Sequence, residues 1–143
     1  MTNQKKILIV EDFNDSRKLF VLYLRSLGFE VFEASNGREA LERAVIVEPD
    51  LMIMDITMPH MDGHEATALL KQNPATRHIP ILVATAHTSN VHEGRIRAAG
   101  ASEVLIKPVN FGALREMLCR YLCEDAETLA ASGRREDSNK FEL

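Results

Sequence analysis

Five short apolar runs, each followed by a stretch of helical periodicity, constrain this chain more than any other feature in it. The runs are KILIV (6–10), FEVFEA (29–34), LMIM (51–54), IPILVAT (79–85) and SEVLI (102–106). Continuous apolar runs of this length predict strands buried on both faces, as in a parallel sheet, whereas FEVFEA alternates and predicts a more exposed edge strand. The intervening segments predict helices over 14–27, 36–47, 62–73, 89–99 and 110–122. In the first, Leu19, Phe20, Tyr23, Leu24 and Leu27 share one face, and Gly28 stops the helix. In the last, Phe111, Leu114, Met117, Leu118, Tyr121 and Leu122 do the same. Strictly alternating strands and helices predict an α/β protein with a parallel sheet and helices on both sides.

Size and charge narrow the function. The 143 residues suit one domain, with 45% hydrophobic residues. A formal net charge of −4 argues against a sequence-independent nucleic-acid binder, so no direct nucleic-acid contact is expected. The opening MTNQKKILIV has two lysines and an apolar run too short for a signal-peptide core or a bilayer span, which predicts a cytoplasmic protein with no membrane insertion. Cys119 and Cys123, four apart on a helix, have Cβ atoms roughly 5–6 Å apart, wider than a disulfide allows, and are expected as thiols. After Cys123 the composition turns polar, so residues 1–123 are expected to form the domain and 124–143 a flexible polar tail.

The exits of the strands carry the chemistry. Glu11 and Asp12 follow the first strand, Asp55 the third and Lys107 the fifth, while Thr85 ends the fourth. Ligands of open α/β sheets bind outside the carboxyl ends of the strands, so these groups are expected at one place. A buried charge such as Asp55 is costly unless paired or metal-bound. Three carboxylates and one amine sum to −2, a charge that a magnesium ion with its preference for oxygen ligands would offset. An aspartate in that setting can act as a nucleophile toward phosphorus. Lys107 and the Thr85 hydroxyl are suited to two of the phosphoryl oxygens.

The residues VED (10–12), MD (54–55), MPHMDG (58–63), ATA (84–86) and IKP (106–108) resemble, in order and spacing, the receiver domain of two-component response regulators over roughly residues 5–123. The resemblance implies a flavodoxin-like (βα)5 doubly wound sheet of strand order 2-1-3-4-5. It implies Asp55 as phospho-acceptor, and Mg2+ held by Asp12, Asp55 and the Thr57 backbone carbonyl, with Glu11 acting through metal-bound water. Thr85 becomes the switch hydroxyl and Lys107 the phosphate-binding amine. Pro108 is expected after a cis peptide that aims Lys107, and Gly63 at a tight turn. Thr57 and His87 occupy positions that tune the lifetime of the acyl phosphate. The phosphodonor implied is a histidine kinase or a histidine phosphotransfer protein. The output implied is a downstream protein partner, bound through the fourth helix, fifth strand and fifth helix, with room for a phosphorylation-linked homodimer. Such a protein is not an enzyme beyond its own phosphorylation and dephosphorylation. Val104 departs from the pattern: receivers often carry a Tyr or Phe there, and a valine has no ring to swing.

Three other readings stand beside this one. Asp12 taken singly is an ordinary helix cap and Asp55 an ordinary loop residue, but the joint set with Thr85 and Lys107 argues for a site. A magnesium-dependent aspartyl-nucleophile phosphohydrolase would resemble a DxD pattern, and here Thr57 stands where its second aspartate would be. A phosphorelay intermediate that passes phosphate onward needs the same residues as a switch. His60, His64, His78 and His92 are expected on the solvated surface.

Overall fold

The structure, a computed structural model, describes residues 4–56, 63–86 and 89–123. The expected tail and the positions Thr57, His60 and His87 lie outside them. Along the chain run β1 (Lys6–Val10), α1 (Asn14–Ser26), β2 (Glu30–Ala34), α2 (Gly37–Val47), β3 (Leu51–Asp55), α3 (Gly63–Gln72), β4 (Ile81–Thr85), α4 (Asn90–Ala99), β5 (Glu103–Ile106) and α5 (Phe111–Leu122). The five strands are all parallel, in the order β2-β1-β3-β4-β5. This is the α/β fold expected from the alternation, in the flavodoxin-like strand order that the resemblance implies.

Local chemistry explains the element ends. Asn36 and Asn110 cap α2 and α5, their side chains accepting from Glu39 N and Ala113 N. Gly28 and Gly100 follow α1 and α4 with φ of 97° and 118°, a left-handed conformation that favours glycine. β4 starts two residues later than its apolar run because Pro80 has no N–H for the ladder; Ile81 is the first residue to pair.

Side chains of a strand alternate between faces, and the core divides accordingly. Ile7, Ile9, Leu51, Ile53, Leu82 and Leu105 meet α1 and α5 on one side. Leu8, Val10, Met52, Met54, Ile81 and Val83 meet α2, α3 and α4 on the other. Two expected core residues are exposed. Leu19 is 59% exposed and Tyr121 37% exposed, each at the margin of its helix's apolar stripe. Val21 is buried in Leu19's stead.

Candidate functional site

Strand register sorts the site's groups before any contact is considered. Glu11 continues the parity of Ile7 and Ile9, Asp55 that of Leu51 and Ile53, and Lys107 that of Leu105. These three share the α1/α5 side at the carboxyl end of the sheet. Thr85 follows Ile81 and Val83 and belongs to the α3/α4 side.

On the first side the charges meet. Carboxylate oxygens of Glu11, Asp12 and Asp55 all lie within 4.8 Å of one another. Lys107 Nζ stands 3.0 Å from Asp55 Oδ2 and 3.5 Å from Glu11 Oε1. Glu11 and Asp55 are buried, Lys107 half-buried and Asp12 exposed. Phe13 N donates to Glu11 Oε2 at 3.3 Å, and Arg17 Nη1 donates to the Glu11 carbonyl at 2.8 Å. Burial, reinforced by the neighbouring Asp55 carboxylate, pushes the Glu11 carboxyl up to about 7, against the opposing pull of Lys107. Burial alone would lower the Lys107 ammonium, but Asp55 and then Glu11 outweigh it and hold it above its ordinary value. A crowded anionic set that keeps a proton to relieve its own repulsion is a donor set suited to a divalent cation, and three carboxylate oxygens match the hard-oxygen preference of Mg2+.

The backbone holds these groups in place. Lys107 N donates to the Thr85 carbonyl at 2.8 Å, which joins the exits of β4 and β5. The Lys107–Pro108 peptide is cis. Gly63 needs its lack of a side chain for close approach rather than for a turn: its φ is not positive, but a Cβ would lie 2.4 Å from Ile56 Cα and 2.8 Å from the Asp55 carbonyl. Among the described residues, Pro108 is exposed, and Val104 is half-buried against the α3/α4 side.

On that other side the structure corrects the sequence reading. His92 and His64 are not solvated surface residues. His92 Nε2 shares a hydrogen bond with the fully buried Thr85 hydroxyl at 3.2 Å. The His92 ring lies edge-on to the His64 ring, with centroids 5.2 Å apart. Only the position of His92 in the first turn of its helix, facing a strand exit, could have signalled this. His78 is exposed as expected.

A parallel 2-1-3-4-5 sheet whose carboxyl end gathers three carboxylates and a lysine is a doubly wound α/β architecture with an acidic site at its strand exits. The family model of the response regulator receiver domain matches residues 7–119, and the chain belongs to that family. The polar-differentiation response regulator DivK of Brucella anthropi is 37% identical over 118 residues, covering 82% of this chain and 96% of the relative. The chemotaxis response regulator CheY4 of Vibrio cholerae is 34% identical with a TM-score of 0.79, covering 84% of this chain and all of the other (100%). The receiver domain of the sensor histidine kinase PA1611 of Pseudomonas aeruginosa, solved with a magnesium ion coordinated in its active-site cleft, is 30% identical with a TM-score of 0.77, covering 82% and 97% of the two chains.

Proposed function

We propose that the chain is a phospho-accepting switch that takes a phosphoryl group on Asp55 from a histidine kinase or a histidine phosphotransfer protein. The observation that carries this is Lys107 Nζ at 3.0 Å from Asp55 Oδ2, with Glu11 and Asp12 within 4.8 Å. Asp55 attacks phosphorus, the P–N bond to the donor histidine breaks as the new P–O bond forms, and the donor imidazole leaves neutral or protonated according to the pH. Lys107 neutralises one phosphoryl oxygen from its position beside the nucleophile. Asp12, Asp55 and the Thr57 carbonyl would hold Mg2+ directly, and Glu11 would act through its bound water. When bound, the ion offsets the negative charge of the carboxylates and of the phosphoryl oxygens. A cleft of about 220 Å³ lined by Glu11, Ser16, Leu19, Lys107 and Phe111 opens beside the acid cluster and offers the donor an approach.

After transfer, the Thr85 hydroxyl donates to a second phosphoryl oxygen. The face formed by α4, β5 and α5 then changes its affinity for a downstream protein, in a population shift biased by contacts that only the phosphoryl group makes. Thr57 and His87 would tune the lifetime of the acyl phosphate. Residues 1–123 would act as the receiver and 124–143 as a polar tail, in a cytoplasmic protein; among the described residues no helix is long and apolar enough to cross a membrane. A valine at position 104 favours a second reading, in which the chain carries phosphate onward in a relay.

Intact-mass measurement after incubation with Mg2+ and phosphoramidate tests the first reading. One phosphoryl group is expected on the native chain and none on Asp55→Asn. Equal uptake by Asp55→Asn would overturn the assignment.

A further inference from the structure

The fifth strand offers no ring at position 104, yet an aromatic ring does touch the switch hydroxyl. It comes from α4. The His92 imidazole meets Thr85 Oγ1 at 3.2 Å through Nε2; which partner donates depends on the tautomer. Strand parity explains the meeting, since Thr85 projects to the α3/α4 side, away from the lysine and the carboxylates.

The same histidine is tied into the start of its helix. His92 N donates to the Oγ of Ser89, the cap of α4, at 3.1 Å, and Glu93 N donates to the Ser89 carbonyl at 3.0 Å. The His92 ring therefore hangs from the capped first turn of α4, and a pull on the ring acts on that turn. Behind the ring stands His64 of α3, edge-on at 5.2 Å. The buried Nε2 of His64 has no hydrogen-bond partner among the described residues. Apolar side chains would fill this space without leaving a polar nitrogen unsatisfied, so packing alone does not account for two imidazoles here.

We propose that His92 is the positioning residue through which the place of the Thr85 hydroxyl is conveyed to α4, with His64 as the wall on α3 against which its ring turns. This rests on the reading that Asp55 accepts a phosphoryl group. When the hydroxyl is drawn toward Asp55, the contact to His92 stretches or pulls the ring with it. Either event alters the first turn of α4, and the imidazole supplies the side-chain response that Val104 lacks.

Nuclear magnetic resonance with Mg2+ and beryllium fluoride, a mimic of the phosphoryl group, tests this on the full chain. In the native protein the ring nitrogens of His92 should shift on binding, together with amides of residues 90–99 and 63–72. In His92→Leu the signals of Asp55 and Lys107 should still report binding, while the response over 90–99 falls to less than a third. His92→Gln places an amide where Nε2 was and should restore at least half of it. Unmoved His92 ring nitrogens overturn the proposal, as does an undiminished α4 response in His92→Leu or identical behaviour of the leucine and glutamine variants. Absence of any shift at Asp55 and Lys107 in the native chain would instead refute phospho-acceptance itself, and the proposal with it.

Discussion

Helix α5 buries Leu114, Leu118 and Leu122 against the sheet, and Phe111 at its start stacks on Tyr23 of α1 with centroids 4.4 Å apart. Tyr23 Oη also donates to the Phe111 carbonyl at 3.0 Å, and Phe20 tilts against the same ring at 5.7 Å. Helix α4, on the opposite face, buries Ile96 among its described side chains and leaves Val91 exposed. Next to it α3 buries Ala66, Thr67 and Leu70, and beyond that α2 buries Gly37, Ala40 and Ala44. One layer is thus locked by large interdigitated side chains and rings. The other takes fewer large side chains from its helices, chiefly Leu70 and Ile96, and is expected to yield more readily. The groups proposed for phosphoryl chemistry sit on the α1/α5 side, and the hydroxyl proposed to report it sits on the other.

Truncations test that contrast most severely. Leu118→Ala should cost about 2–5 kcal/mol in denaturant unfolding, because the surrounding rings cannot close the cavity. Ile96→Ala should cost clearly less, since α4 can settle into the space. Equal losses would break the comparison. Gly63→Ala should cost about 1–3 kcal/mol, because its Cβ would meet the backbone of Ile56. That loss would show α3 to be fixed at its site end even though its layer is loose, and a neutral result would extend the looseness to the site itself.

Smaller effects sharpen the picture. Tyr23→Phe removes the hydrogen bond to Phe111 and should cost about 1 kcal/mol, read from the same unfolding curves. Glu11 provides a pH signature. Its folded-state carboxyl titrates at about 7 against an ordinary 4.5, so the folded state holds the proton more tightly. Without metal, stability should fall as pH rises from 4.5 toward 7, on the order of 1 kcal/mol after allowance for solvent screening. Glu11→Gln should lack this slope, and Mg2+ should oppose it in the native chain; a pH series of melts checks both. Last, Gly94 lies within α4 where a Cβ would meet nothing within 4 Å. Gly94→Ala should add about 0.5–1 kcal/mol and slow amide exchange over α4. Unchanged exchange would mean that α4 is already rigid.

Much of this architecture was legible because each strand buried on both faces writes itself as an apolar run. KILIV, LMIM and ILVA give both faces of the sheet at once, and the first polar residue after each (Glu11, Asp55 and Thr85) marks the candidate site. Glu11, Asp55 and Lys107 could be found by counting. His92 and His64 could not. Their meeting depends on the rotation of α3 and α4 about their own axes, which a weak apolar stripe does not specify. Ile96 is the one fully buried apolar side chain of α4 among the described residues, and so narrow a stripe does not announce which of its polar residues turns inward. Gly63 was legible as important but not why, since the crowding comes from the backbone of Ile56 across the loop.

The sheet stops at two open edges, and each is blunted. β2 carries Glu30 and Glu33, the latter paired to Arg17 Nε at 2.9 Å. β5 has only four residues, and Pro108 follows two positions beyond its end. Charge, brevity and a missing N–H all discourage a neighbouring chain from docking as a sixth strand. A parallel sheet cannot close on itself at five strands, so its exposed backbone invites templated association whenever copies crowd together. Here that hazard is met by three carboxylate, length and proline devices at the rims, which leave the apolar interior free to be as continuous as LMIM without making the protein sticky.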